Sequence, residues 1–375
     1  MINSNNFKSK RGLILFCFFF ILISCKQDKL SQVDYKNFYR LKSDSICING
    51  LKNLDELLTL ECLNENTIFT FDRRNAVIRF YKAKNNNVLN FDLMLESKPS
   101  KIPNFFYFVG YTNENIFYIN REGFLYNYSI KDNFSKFVDT LKVKSSSSLV
   151  YEYFSNKAYP IYYKSNDLFI SKFAYSEPNQ RNEYLKEDII QIVNLKSKKT
   201  ISLLTQPKDV ENFYPNLPMH NFNETSNLLV NLFPCYDSID VVNFRTMVKK
   251  KVFLNNLDFT KSEKINFDLA FRKMDAKYIT LYNLKNFHYT AVICILNAYY
   301  FFYNKPLLQI KPTENDIEQF YIKTDSNFKI LSYNKIGKGL FFPSCYLKFN
   351  NKIFLPYFKT SFSDEKPLIL YNICM

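Results

Sequence analysis

An asparagine followed within two positions by an aliphatic or aromatic run recurs along this chain, and no other feature restricts the fold as much. The copies are Asn66-Thr67-Ile68-Phe69, Asn115-Ile116-Phe117-Tyr118, Asn166-Asp167-Leu168-Phe169, Asn227-Leu228-Leu229-Val230 and Asn351-Lys352-Ile353-Phe354. Their spacings are 49, 51, 61 and 124 residues. The last interval is twice 62 and calls for a sixth copy that lacks its asparagine, with Tyr289 to Ile295 as its strand. Between copies, short runs of β-branched and aromatic residues alternate with clusters of Asn, Asp, Ser and Lys, the pattern of strands and tight turns. Thr67 to Phe71, Ala76 to Lys82 and Val88 to Leu93 are examples.

The chain is therefore expected to be all-β. A unit of ~50 to 60 residues with about four strands has the size of one propeller blade, so six units predict a six-bladed β-propeller of antiparallel strands. Radial repetition also suits the length, because a single core rarely grows beyond ~250 to 300 residues. Ile46-Cys47-Ile48 and Leu368-Ile369-Leu370-Tyr371 are suitable strands to close the circle. If they pair, Cys47 and Cys374 fall on paired strands and could form a disulfide. Helix signals are confined to a short turn at Leu51, Leu54 and Leu58 and a weak capping box, Thr313-x-x-Asp316, ahead of Ile317 and Phe320.

The N-terminus carries an address. Lys8, Lys10 and Arg11 precede an apolar run from Leu13 to Ile23, too short to span a bilayer, which is the layout of a secretory signal. Leu22-Ile23-Ser24-Cys25 resembles the bacterial lipobox. That resemblance implies cleavage before Cys25 and lipid attachment to it, and two or more acyl chains hold a protein stably on a membrane. The expected organisation is a lipoprotein signal peptide over 1–24, a lipidated flexible tether over 25–45 and the β-propeller over 46–375. The expected location is the cell envelope, at the outer membrane, on either its periplasmic or its surface face.

The lipobox, the unit from Phe105 to Asn120 and the run from Leu340 to Phe354 together resemble an uncharacterised family of six-bladed β-propeller lipoproteins common in Bacteroidetes. The resemblance implies a fold and an envelope location and brings no catalytic residues.

The formal charge of +15 would suit nucleic acid, but it is spread along the chain, and Lys, Asn, Ile, Phe and Tyr abound together as A/T-rich codons dictate. Nucleic acid is not expected as a partner. The eight cysteines form no C-x-x-C pair and only two histidines accompany them, so neither a metal site nor a cofactor is expected. There is no Trp, no G-x-S-x-G and no phosphate-cradling glycine loop.

His220, in a segment with Pro215 and Pro218, is a candidate ligand contact or general base on a rim loop; a structurally satisfied histidine is the competing reading. Phe213, Tyr214 and Phe222 flank it as loop aromatics able to stack on a sugar or grip a peptide. Asp237 and Asp240 could flank a substrate, although turn carboxylates are usually solvated. Without an ordered acid/base set, a binding or scaffolding module for a glycan, peptide or protein is favoured over an enzyme. The alternative is a propeller-type hydrolase or lyase with carboxylates in the central funnel.

Overall fold

The computed structural model describes residues 45–51, 54–73, 75–84, 87–98, 106–112, 114–120, 123–140, 150–152, 157, 160–164, 167–171, 173–175, 188–197, 199–205, 218–223, 225–266, 269–270, 273, 275–307, 317–338, 341–357 and 368–373. Strands dominate, in antiparallel groups of four. Sheet A contains Glu61–Asn64, Thr67–Asp72, Val77–Lys84 and Asn87–Ser97. Sheet B contains Phe106–Tyr111, Asn115–Asn120, Phe124–Ser129 and Phe134–Thr140. Sheet C contains Tyr162–Lys164, Asp167–Ser171, Asp188–Asn194 and Thr200–Thr205, beside a two-stranded ribbon of Val150–Glu152 and Phe173–Tyr175.

Sheet D contains Met219–Asn223, Leu228–Leu232, Ser238–Asn243 and Lys249–Phe253. Sheet E contains His288–Ile295, Ala298–Asn304, Glu318–Thr324 and Ile330–Lys338. Sheet F joins the two ends of the described chain: Leu347–Phe349, Lys352–Pro356 and Leu368–Asn372 are completed by Ser45–Ile48. That closing pair is antiparallel, Ile46 opposite Leu370 and Cys47 opposite Ile369, as the sequence led us to expect. A short parallel contact, Cys47 with Asn90 and Ile48 with Phe91, merges sheets F and A into one eight-stranded sheet.

The recurring asparagine now has a local cause. Asn66, Asn227 and Asn351 sit in the turn joining the first strand of their sheet to the second, Asn115 opens the second strand of sheet B, and Asn166 lies outside the described residues; where such a hairpin takes positive φ, Asn tolerates it. Asn227 has φ 55°, and Asn350 and Asn351 have 48° and 60°. The sixth copy differs from expectation. Tyr289 to Ile295 belongs to the first strand of sheet E, and the second is Ala298–Asn304, led by Asn297 after Leu296 at φ 54°. The asparagine is present; the residues behind it are aromatic rather than aliphatic.

Each sheet packs on the next, and sheet F packs on sheet A. Tyr299, Phe301 and Tyr303 of sheet E lie against Val230, Leu232 and Val241 of sheet D. On the opposite face, Tyr300 and Phe302 lie against Ile353 and Leu355 of sheet F. Ile46, Ile48 and Leu370 meet Ile68, Tyr81 and Phe91 across the F and A contact. Three further clusters fill the A–B, B–C and C–D layers. A strand covered on both faces must be apolar at every position, which is why Ala298–Asn304 reads AYYFFYN. Each such ring or aliphatic side chain contributes ~1.5–3 kcal/mol on burial.

Two α-helices lie among the described residues. α1, Leu54–Leu58, matches the expected turn. α2, Ala276–Lys285, lies between sheets D and E and is capped by Asp275, whose carboxylate accepts from Tyr278 N at 3.0 Å. The expected helix after Thr313 does not form at its apolar positions: Phe320 lies in the strand Glu318–Thr324, paired with Tyr303 and Lys335. Thr313 and Asp316 lie outside the described residues. Cys47 carries a free thiol opposite Ile369, so the proposed disulfide is not formed; Cys374 lies outside the described residues.

Candidate functional site

The first strands of neighbouring sheets meet one another. Tyr111 of sheet B donates its hydroxyl to Cys62 O of sheet A at 2.7 Å, and the His220 ring of sheet D bonds Pro160 O, just ahead of sheet C, at 2.7 Å. Where these strands converge, a polar cluster forms. Lys157 is buried there, its ammonium donating to Leu60 O and Tyr346 O and pairing with the Glu61 carboxylate at 3.2 Å. Three N–H groups meet three acceptors, so its donors are fully used. The ammonium also stands 4.7 Å from the centre of the Tyr346 ring, and Lys348 approaches the same ring at 5.5 Å. Asn221 of sheet D donates to the Tyr346 hydroxyl at 3.4 Å, and its own side-chain oxygen is buried with no partner.

Electrostatics limit what this cluster can do. Burial raises the Cys62 thiol to about 11 and the Cys345 thiol to about 12, so neither is a thiolate at neutral pH. Burial first, and the Glu61 charge second, hold Tyr346 in its neutral phenol form. Glu61 is the carboxylate of this cluster, and it is tied to Lys157. The half-exposed Lys348 and the unpartnered Asn221 oxygen suit recognition through hydrogen bonds better than proton transfer, which needs two groups poised apart.

His220 and Phe222 are not on a loop. Both lie in the strand Met219–Asn223, where Pro218 only precedes the first residue. His220 is completely buried and Phe222 stacks on Tyr162 of sheet C at 4.8 Å. Phe213, Tyr214 and Cys25 lie outside the described residues. Asp237 and Asp240 are separated in role. Asp237 accepts from Tyr289 at 2.9 Å and from Asn256 N at 2.9 Å, whereas Asp240 is in mid-strand, 4.0 Å from Lys251. Burial raises both carboxyls.

Burial lowers His220 from its ordinary 6.5 to about 4. The unfolded chain therefore takes up a proton that the folded chain refuses, and stability falls as pH drops from about 6.5 toward 4, by about 3 kcal/mol in total. Thermal unfolding followed by circular dichroism across that range should show this loss, flattened in His220→Gln, whose amide can still donate to Pro160 O. Equal acid sensitivity in the two proteins would exclude His220 as its source.

A second polar group has carboxylates close together. Glu56 of α1 and Asp72 of sheet A both contact Arg79, at 2.5 and 3.4 Å, and Tyr81 donates to Glu56 at 2.9 Å. Glu56 and Asp72 are 0% and 1% exposed, so a substrate has no path to them. Glu56 fastens α1 to sheet A through Arg79 and Tyr81. Among the described residues, no group of three or more His, Cys, Asp or Glu could hold a metal ion, and no helix is long and apolar enough to cross a membrane.

No protein-family model matches the chain, and no curated protein matches it. Solved structures do. A member of the DUF4221 family from Bacteroides vulgatus superposes with a TM-score of 0.65 at 12% identity, over 88% of this chain and 96% of that one. A "putative exported protein" from Bacteroides fragilis superposes with a TM-score of 0.52 at 11% identity, over 88% and 95% of the two chains. At these identities the likeness establishes a shared all-β fold.

Proposed function

We infer that the chain is a lipid-anchored six-bladed β-propeller of the bacterial envelope that binds a glycan, peptide or protein at its axis. The observation that carries the binding role is the polar cluster where the first strands converge: Lys348 is half-exposed there over the Tyr346 ring and Asn221 keeps a side-chain oxygen with no partner, while Lys157 and Glu61 hold the strands together. In support of the propeller, six groups of four strands pack each on the next, and the first and last strands share one group. In support of the anchor stand the Leu22-Ile23-Ser24-Cys25 motif and the fold shared with a Bacteroides protein whose name describes it as exported.

Crosslinking in intact envelopes, compared between wild type and Lys348→Ala, tests the axial site. A ligand captured by the wild type and lost in the variant supports it; equal capture removes the axis as the binding face. Alkyne fatty-acid labelling tests the anchor. Label should appear on the wild type and disappear in Cys25→Ala, and persistence of label in the variant would end the lipobox reading.

A further inference from the structure

The outer edge of sheets D and E combines charge with exposed apolar groups. The edge strand of sheet D, Lys249–Phe253, carries Lys249, Lys250 and Lys251, all exposed. Around them Val248 is 63% exposed, Phe253 65%, Leu257 84% and Leu331 55%. The two sheets form one continuous surface here, because Tyr333 of sheet E donates to Asn255 O at 2.9 Å and Lys250 lies 5.3 Å above the Phe328 ring.

Nearby carboxylates all have partners, and one of those partners, Lys251, belongs to the patch. Asp258 is held by Lys305 and Tyr303, both at 2.7 Å. Asp325 accepts from Asn327 N and Lys329 N in its own turn. Asp237 faces inward to Tyr289, and Asp240 reaches Lys251 at 4.0 Å. The outward charge of the patch is positive.

Lysines alone would only guard an exposed edge against another strand. Guarding does not require a phenylalanine and a leucine left largely in water beside them, since these invite association. Lysine with phenylalanine and leucine along one exposed edge, reached from both faces of its strand, is the composition that settles at a lipid interface, the apolar groups at the acyl boundary and the ammonium groups on phosphates.

We propose that this face docks onto the surface of an anionic lipid bilayer, with Lys249, Lys250, Lys251 and Lys329 on headgroup phosphates and Phe253 and Leu257 below them. The inference deepens the membrane-anchored reading and takes the location from it. Ser45, where the tether begins, lies on the outer strand of sheet F, and sheet F packs against sheet E. The roughly 20 residues back to Cys25 can reach at most ~70 Å, ample for an anchored protein to lay this edge flat.

The test separates this surface from the acyl anchor. The mature chain, without residues 1–24 and carrying Cys25→Ala, is sedimented with phosphatidylcholine vesicles with and without phosphatidylglycerol. Binding is expected only with phosphatidylglycerol, falling as salt rises. The further change Lys249→Gln, Lys250→Gln and Lys251→Gln should weaken it by about a hundredfold, near fivefold per lysine. Phe253→Ser with Leu257→Ser should remove the part that survives high salt; all these sites are exposed, and an unchanged melting temperature checks the fold. Equal binding to both vesicle types, or full binding by the lysine variant, overturns the proposal. Capture of an acidic protein without vesicle binding overturns it in favour of a protein partner. Loss of fatty-acid label from the wild type, with vesicle binding intact, overturns only the anchor.

Discussion

Replacing Arg79 with methionine is expected to lower the unfolding free energy by about 3–5 kcal/mol. Arg79 serves three carboxylates: Glu56 at 2.5 Å, Glu96 at 2.8 Å and Asp72 at 3.4 Å. Methionine keeps much of the stem's packing and removes the charge. Glu56 and Asp72 are then left buried as uncompensated anions, which is where the cost arises. Their carboxyls should respond by taking up protons, so the loss should shrink at acid pH. Guanidinium unfolding at neutral and mildly acidic pH measures both effects. A loss below about 1 kcal/mol at neutral pH would mean that water reaches the carboxylates in the variant.

Lys157→Met is expected to cost about 2–4 kcal/mol, because it strips partners from two buried carbonyls as well as from Glu61. The cost should have a distinctive form. Lys157 precedes sheet C but clasps backbone at the starts of sheets A and F, so its loss loosens contacts between sheets and not within them. Unfolding followed separately by far-ultraviolet circular dichroism and by tyrosine fluorescence should coincide in the wild type and separate in the variant. Coincident transitions, with a cost below about 1 kcal/mol, would reduce Lys157 to an ordinary surface-type contact.

The strand pattern, the hairpin asparagines and the closing pair at Ile46 and Leu370 were legible because local chemistry demands them. Positive φ favours asparagine at Asn227 and Asn351, turn chemistry favours it in the other hairpins, and a strand covered on both faces selects apolar residues throughout. That last rule also misled: Tyr289 to Ile295 and Ala298 to Tyr303 are equally apolar, so composition could not tell the first strand of sheet E from the second. Asn297 was the available signal. Pro215 and Pro218 suggested a loop around His220, yet a proline immediately before a strand leaves the strand intact.

The site itself was much less visible. Lys157 bonds carbonyls 97 and 189 residues away, and backbone acceptors leave no trace in side-chain identity. One lysine among many therefore carries no mark until the strands are assembled. Arg79 and Glu56 are 23 residues apart on different kinds of element, and no periodicity links them. Asp275 ahead of α2 was a readable cap, masked by the aromatic content of the helix it starts.

Sheet F takes its outer strand from the start of the described chain and its other three from the end. The partners Cys47 and Ile369 are about 320 residues apart, so this pairing is the most non-local in the fold and the last that synthesis permits. The entropic cost of so long a loop grows only logarithmically with length, so a complete chain can meet it. A chain stopped short of Leu368 cannot. Its Ser45–Ile48 would keep only the short parallel contact with sheet A and lose its antiparallel partner, leaving an open edge for proteases and chaperones to find. Pairing on both sides of Ser45–Ile48 therefore waits on the last described strand, Leu368–Asn372.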